Sequence, residues 1–300
     1  MMQKQWRLAA RPDGIPDRSH FALTDAPIPS LEPGKAVAKT LYLGVAPVML
    51  RYMRNETEFE SPIALGAVMP GRGVAQIIES DCASLPVGAV VQARLGWQEY
   101  ALIDESDRPA PFLLPTDLPL SHGIGAVSLS GVTALVGIRD IGAVTATDRI
   151  LVSGAAGGVG SHVAEIAKAL GAQEVVGIAG GPEKCARLQR HMAYDQVIDY
   201  KNADVDLALD TLFPEGIDLY FDNVGGALLD NILGRLRRRA RIVICGSIAE
   251  YLTETENKHR FIHLQNLGPP DTKMERFFVF DYEEVYPHCI HMLATWVREG

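Results

Sequence analysis

Between Ser121 and Tyr282 short apolar runs alternate with stretches whose apolar residues recur at three- and four-residue spacing. The first kind predicts buried strands and the second amphipathic helices. "RILVSG" reads as a strand, and "GVGSHVAEIAKALG" as a helix closed by Gly171. "EVVGIAG" is the next strand. "PEKCARLQRH" follows as a helix with Pro182 in its first turn, where a missing N–H costs nothing. "QVIDY", "IDLYFDNVGG" and "ARIVICGS" are further strands, the last two separated by a helix over "ALLDNILGRLRR". "RFFVFDY" is expected as a sixth strand and "EEVYPHCIHMLATWVREG" as a final helix. Strands joined by helices predict an α/β fold: a doubly wound parallel sheet covered on both faces.

The preceding residues follow another pattern. Short runs such as "KAVAKTLYLGV", "GVAQIIES", "AVVQARL" and "EYALI" are set apart by turn residues such as "EPGK" and "LPVG". That spacing predicts a mostly β module, a partly open barrel. The change of character divides the chain into two domains, 1–121 and 122–300.

Charge and cysteine content narrow the classes. A net charge of −9 argues against nucleic acid or an anionic membrane surface as the main partner. No apolar run reaches the roughly 18 residues that span a bilayer, and the N-terminus lacks the apolar core of a secretory signal. Four cysteines without a C-x-x-C pair predict neither a zinc ribbon nor a redox pair, and suit a reduced, cytoplasmic setting. His288 and His291 stand three apart on the last helix without a carboxylate or thiolate pattern beside them, so no metal site is expected.

One stretch carries candidate chemistry. "LVSGAAGGVG" ends a strand and opens a helix, the context in which a glycine turn cradles a pyrophosphate. Its glycines allow close backbone approach, and the helix N-terminus offers free N–H groups. The first glycine of G-x-G-x-x-G is replaced by Ala155; the alternative is a plain strand–helix turn of small residues. An NAD site places an acid about 20 residues further on, for the ribose hydroxyls. Here the second strand closes on Gly180 and Gly181, and Lys184 follows, able to meet a 2′-phosphate or to be an ordinary solvated lysine. The missing acid favours NADPH.

"GVGSHVAEIAKALGAQEVVGIAGGPEKC", "VIDYK", "YFDNVGG", "RIVICGSIAEY" and the N-terminal "RPDGIPDRSHFAL", "YLGVAPVM", "MPGRGVAQIIES" and "SGVTAL" together resemble the zinc-free medium-chain dehydrogenase/reductases. Within them they resemble the prostaglandin reductase, curcumin reductase and double-bond reductase group. The resemblance implies a Rossmann NADPH-binding domain after a GroES-like domain. It also implies zinc-independent reduction of the C=C bond of α,β-unsaturated ketones and aldehydes, a small apolar carbonyl substrate and a homodimer with "RFFVFDY" at its edge. A quinone-type oxidoreductase, or an NADPH-binding sensor or scaffold with little catalysis, are the alternatives.

The resemblance carries over residue by residue. Gly157, Gly158, Val159 and Gly160 match the pyrophosphate turn, Lys184 and Tyr200 the 2′-phosphate contacts, and Asn223 a contact to the nicotinamide ribose. Cys245, Gly246, Ser247, Ile248 and Tyr251 match the loop bordering the nicotinamide, and Phe277, Phe278 and Val279 a segment whose backbone caps its carboxamide. Read without the resemblance, Asn223 is equally a helix cap, Tyr200 a strand-end anchor and the two phenylalanines core. Where the group has Y-L-S-V-D-P-Y-M-R, this chain has Ala46, Val48 and Leu50, and with Val48 it lacks the group's tyrosine proton donor. Tyr251 becomes the expected catalytic residue, ahead of Tyr52. Leu135 replaces a tyrosine and predicts a more apolar pocket. The group also has a return segment beyond the position of Gly300, so the first domain is expected to be incomplete here and less stable. The arginines of "GRLRRRAR" are expected as a solvated helix end.

Overall fold

The computed structural model describes residues 1–54, 62–251 and 271–300. These form two compact units, Met1–Leu129 with Glu283–Gly300, and Ser130–Tyr282.

The first unit is mostly β. Strands β1 (Met2–Leu8) and β2 (Phe21–Pro27) form an antiparallel pair. β3 (Ala36–Leu43) leads through the short helix α1 (Met49–Met53) to β4 (Arg72–Ser80), β5 (Val90–Arg94), β6 (Tyr100–Ile103) and β7 (Phe112–Leu113). Their antiparallel order is β6-β3-β4-β5-β7. Alternation does the work expected of it: Ala36, Ala38, Ala75, Ile77, Val91, Ala93, Ala101 and Ile103 close one core.

Helix α2 (Leu129–Leu135) leads into the second unit. There β8 (Arg149–Val152), α3 (Gly160–Ala169), β9 (Glu174–Ala179), α4 (Pro182–His191) and β10 (Gln196–Asp199) follow the expected alternation. The sequence reading assigned no element to α5 (Val205–Leu212), although Asp204 caps it by accepting from the Leu207 N–H at 3.1 Å. β11 (Ile217–Asp222), α6 (Gly226–Leu233), β12 (Leu236–Ile244) and β13 (Lys273–Arg276) complete the unit. All pairings are parallel, in the order β10-β9-β8-β11-β12-β13. The chain moves outward from β8 through β10 and then resumes at β11 on the other flank. That reversal opens a crevice beyond the carboxyl ends of β8 and β11, where ligands of such sheets bind. The last helix, α7 (Tyr286–Glu299), belongs to the first unit, where Arg298 forms an ion pair with Asp117 at 2.7 Å.

Two expectations are corrected. Helix α6 ends at Leu233, so the arginines do not close a helix. Register jumps from Ile217 opposite Leu236 to Leu219 opposite Arg241, a bulge within β12 against β11, with Arg239 at a φ of 64°. Acidic partners take three of the arginines: Arg235 meets Asp206 and Asp210, Arg237 meets Glu215, and Arg241 meets the buried Asp148, while Arg238 and Arg239 are solvated. The sixth strand is also displaced. Pairing with β12 stops at Arg276, and a 3-10 segment covers Val279–Val285. "FFVF" has no alternation to divide between two faces. Phe277 fills instead the space over Gly137, whose hypothetical Cβ would lie 3.1 Å from its ring. Among the described residues the edge strand on this side is therefore β13, its four residues all exposed, rather than "RFFVFDY".

Candidate active site

The glycine turn joins β8 to α3. Its sharp bend falls on Gly154, at φ 58°, and the Gly157 N–H closes the turn on the Gly154 carbonyl at 2.9 Å. Gly160 is fixed by close packing, since a Cβ there would lie 2.3 Å from the Gly154 carbonyl oxygen and 2.9 Å from the Ala155 Cα. Gly157 and Gly158 face solvent, and among the described residues no carbonyl takes the N–H of Gly158, Val159 or Gly160. Free donors beside open space at the N-terminus of α3 are what a pyrophosphate requires.

Ala155 fits for a reason in the next strand. A Cβ on Gly177 of β9 would lie 2.9 Å from the Ala155 methyl and 2.9 Å from the Tyr194 ring. Because Gly177 has none, the methyl and the ring share that space. The Tyr194 hydroxyl donates to the Gly160 carbonyl at 2.6 Å and steadies the turn from inside. Tyr194→Phe keeps the packing and loses that bond. A neutral hydrogen bond contributes about 1 kcal/mol, so the Kd for nucleotide is expected to rise about fivefold in a fluorescence titration.

The ends of β9 and β10 bring Gly180, Gly181, Lys184 and Tyr200 together. The Tyr200 ring lies over Gly180, where a Cβ would be 2.6 Å from it. Gly181 caps α4 at φ 97°, and Lys184 is exposed in the first turn of that helix. Asp199 ends β10, and its oxygens accept from the Gly181 N–H at 2.7 Å, the Lys201 N–H and the Asn202 amide. Those donors, Asn202 foremost, hold its carboxyl below the usual carboxylate range. Its bonds go to the backbone turn, and no acid closes β9.

The other flank of the crevice converges on Asp222, the fully buried last residue of β11. Its carboxylate accepts from the Ser153 hydroxyl and the Tyr220 hydroxyl, each at 2.7 Å, and from the N–H groups of Val224 and Gly225. Its backbone carbonyl accepts from the Cys245 and Gly246 N–H groups. Asn223 spans the crevice: its amide donates to the Ser153 carbonyl at 2.8 Å, and its own carbonyl accepts from Ile248. A Cβ on Gly246 would lie 3.3 Å from the Asn223 carbonyl oxygen and 3.4 Å from the Tyr251 hydroxyl. Asn223, Gly246 and Tyr251 thus sit together. Burial, and then the Asp222 charge, push the Cys245 thiol up to about 12, so it stays protonated at neutral pH and is no nucleophile.

Phe277, Phe278 and Val279 leave the sheet directly after Arg276, which pairs with Ile244, and so run beside the start of the Cys245–Tyr251 loop. Phe277 and Val279 are buried, and the Phe278 ring meets Phe280 edge-on at 4.7 Å. Sequence reasoning passed over Ser153, Gly177, Tyr194, Tyr220 and Asp222. An acid and a phenol inside the apolar run "LYFD" were the readable signal, because such groups enter a core only with partners. The first unit holds the "GVAPVML" segment that departs from the family pattern. There the Gly44 N–H donates to the Arg72 carbonyl, and Ala46 opens the turn into α1.

Two family models match the chain. The N-terminal domain of oxidoreductase covers residues 4–109, and zinc-binding dehydrogenase covers residues 158–295. Among the described residues no group of three His, Cys, Asp or Glu could hold a metal ion. YfmJ of Bacillus subtilis (strain 168), an NADP-dependent oxidoreductase by name, is 38% identical over 99% of this chain and 87% of its own. The NADP(+)-dependent 2-alkenal reductase of Nicotiana tabacum is 34% identical over 96% of this chain and 84% of its own. The crystal structure of CurA in complex with NADPH from Vibrio vulnificus matches with a TM-score of 0.88 and 34% identity, over 99% of this chain and 88% of that one. With a Rossmann sheet, a glycine turn at its reversal point and relatives aligned across both units, the chain belongs to the medium-chain dehydrogenase/reductases, in the group of the alkenal and prostaglandin reductases.

Proposed function

We propose that the protein is an NADPH-dependent reductase of C=C bonds conjugated to a ketone or aldehyde. The observation that carries this reading is the placing of Asn223, Gly246 and the Tyr251 hydroxyl at the crevice whose other wall is the Gly154–Gly160 turn. The residues fit the nucleotide: the turn would hold its pyrophosphate, Lys184 and Tyr200 its 2′-phosphate, and Asn223 and the Cys245–Tyr251 loop its nicotinamide end. Phe277–Val279 would close over the carboxamide. When bound, NADPH supplies a hydride to the β-carbon of the enone.

The protein's own residues then manage charge and protons. Negative charge moves onto the carbonyl oxygen of the substrate, where a fixed donor is worth most in surroundings poor in water. Tyr251 is the phenol placed to donate there and to hold the proton that the α-carbon receives. With a bulky apolar residue at Val48, the first unit offers no phenol at that position. The relatives' names support the enone class, whereas Leu135 is fully buried in the core.

The test follows NADPH oxidation by its near-ultraviolet absorbance with an alkenal, with an enone and with a quinone. Turnover of the conjugated carbonyls above the quinone is expected. Tyr251→Phe is expected to lower kcat about tenfold with the NADPH Kd unchanged, a modest general-acid effect. Turnover of the quinone alone moves the assignment to a quinone oxidoreductase. Tight nucleotide binding with no turnover of any of the three leaves a binding protein.

A further inference from the structure

We propose that Asp222 acts as a buried anion that favours the oxidised, cationic nicotinamide over the reduced, neutral one, so that the site itself promotes hydride departure. The inference rests on the NADPH reading above and concerns a residue that this reading leaves without a role.

Four observations carry it. Asp222 is fully buried at the carboxyl end of β11, beside the reversal point of the sheet. Every polar contact to its carboxylate is a donor: Ser153, Tyr220, and the N–H groups of Val224 and Gly225. The Ser153 oxygen already accepts the Asn223 N–H at 2.9 Å, which leaves its hydroxyl hydrogen for Asp222, and the four neutral donors favour the ionised carboxyl against the upward push of burial. Among the described residues no Lys, Arg or His forms an ion pair with it, and it is absent from every ion pair of the sheet's lower edge. A buried charge held by neutral donors alone keeps its long-range field, because those donors offset it without cancelling it.

Loss of hydride takes two electrons and one proton from the dihydronicotinamide and leaves a ring of charge +1. The pyrophosphate and 2′-phosphate are the same in both forms, so their repulsion from Asp222 cancels in a comparison of the two. What remains is the attraction between the carboxylate and the ring. With an effective dielectric constant of about 20 and a separation of roughly 12–25 Å, it shifts the relative affinities by about three- to tenfold.

The experiment titrates NADPH and NADP+ separately into wild type and Asp222→Asn and compares the ratio of their Kd values. In the variant NADP+ is expected to lose about three- to tenfold more affinity than NADPH. Equal losses overturn the proposal and leave Asp222 a positioning residue, since a purely structural defect weakens both forms alike. Should Asp222→Asn fail to fold, Tyr220→Phe decides: it removes one opposing dipole and keeps the charge, so NADP+ should gain relative to NADPH. An unchanged or opposite ratio in that variant also overturns the idea. If wild type binds neither nucleotide, the functional reading fails first and separately.

Discussion

Gly160→Ala is expected to abolish nucleotide binding while leaving a folded, weakened protein. The added methyl would stand 2.3 Å from the Gly154 carbonyl oxygen, 2.9 Å from the Ala155 Cα and 3.0 Å from the Gly154 carbonyl carbon. All three are backbone atoms, so no rotamer change relieves the clash, and the turn or α3 must move. Overpacking of this kind costs roughly 1–3 kcal/mol of stability. Binding suffers more, because the free N–H groups of Gly158, Val159 and Gly160 lose their common aim. Two charge-assisted hydrogen bonds at about 1.5 kcal/mol or more each correspond to a Kd raised by at least about 100-fold. The check is a thermal melt with and without saturating NADPH. Wild type should melt higher with nucleotide, by mass action on the folded state, and Gly160→Ala should show no such rise. A rise equal to that of wild type would mean that the pyrophosphate lies elsewhere. Gly158→Ala is the control for the fold alone: a Cβ there meets nothing closer than the Ser130 hydroxyl at 3.8 Å, so its melt without nucleotide should match that of wild type.

The contrast between those two glycines shows what a sequence discloses. Strand, turn and helix around "LVSGAAGGVG" are readable because hydrophobic period and glycine position are local properties. That Ala155 is tolerated because Gly177 lies opposite is a pairing across 22 positions, and no local pattern carries it. Asn223 and Tyr251 could be named from the resemblance, but that Gly246 stands between them is a consequence of register between β11 and β12. The arginine run shows the opposite failure. "LLDNILGRLRR" has good helical character as far as Leu233, yet the strand begins at Leu236, because β11 needed a parallel partner and the arginines found acids in α5 and at the lower strand ends. Local propensity yields to tertiary pairing there. Asp222 was in view throughout in "FDNVGG"; its surroundings became legible only with Ser153, from the end of the neighbouring strand, and Tyr220, two residues back, placed around it.

Lys184→Glu is expected to reverse the nucleotide preference. The observations on this side of the crevice are of what is absent and what is near. β9 closes on Ala179, Gly180 and Gly181 without an acid, and Asp199 gives its oxygens to Gly181, Lys201 and Asn202, so neither strand end offers a free carboxylate to ribose hydroxyls. Lys184 stands in the first turn of α4, directly beyond the Gly180–Gly181 bend, with the Tyr200 ring lying on Gly180. A 2′-phosphate seated there would gain one ammonium–phosphate bond and the positive end of a helix. Replacing the ammonium by a carboxylate removes that bond and adds repulsion from the phosphate, while it supplies the acceptor that a free 2′-hydroxyl prefers. The ratio of kcat/KM for NADPH to that for NADH should therefore fall by about 100-fold or more, with roughly equal parts from the lost pair and the new repulsion. Lys184→Arg should keep the wild-type ratio, since a guanidinium serves a phosphate equally well. Steady-state kinetics with both nucleotides at one ionic strength supply the measurement, because the charge effect is screened by salt. A ratio unmoved by Lys184→Glu would transfer the 2′-phosphate to another cation on the same helix, with Arg187, exposed and three residues on, the next to replace.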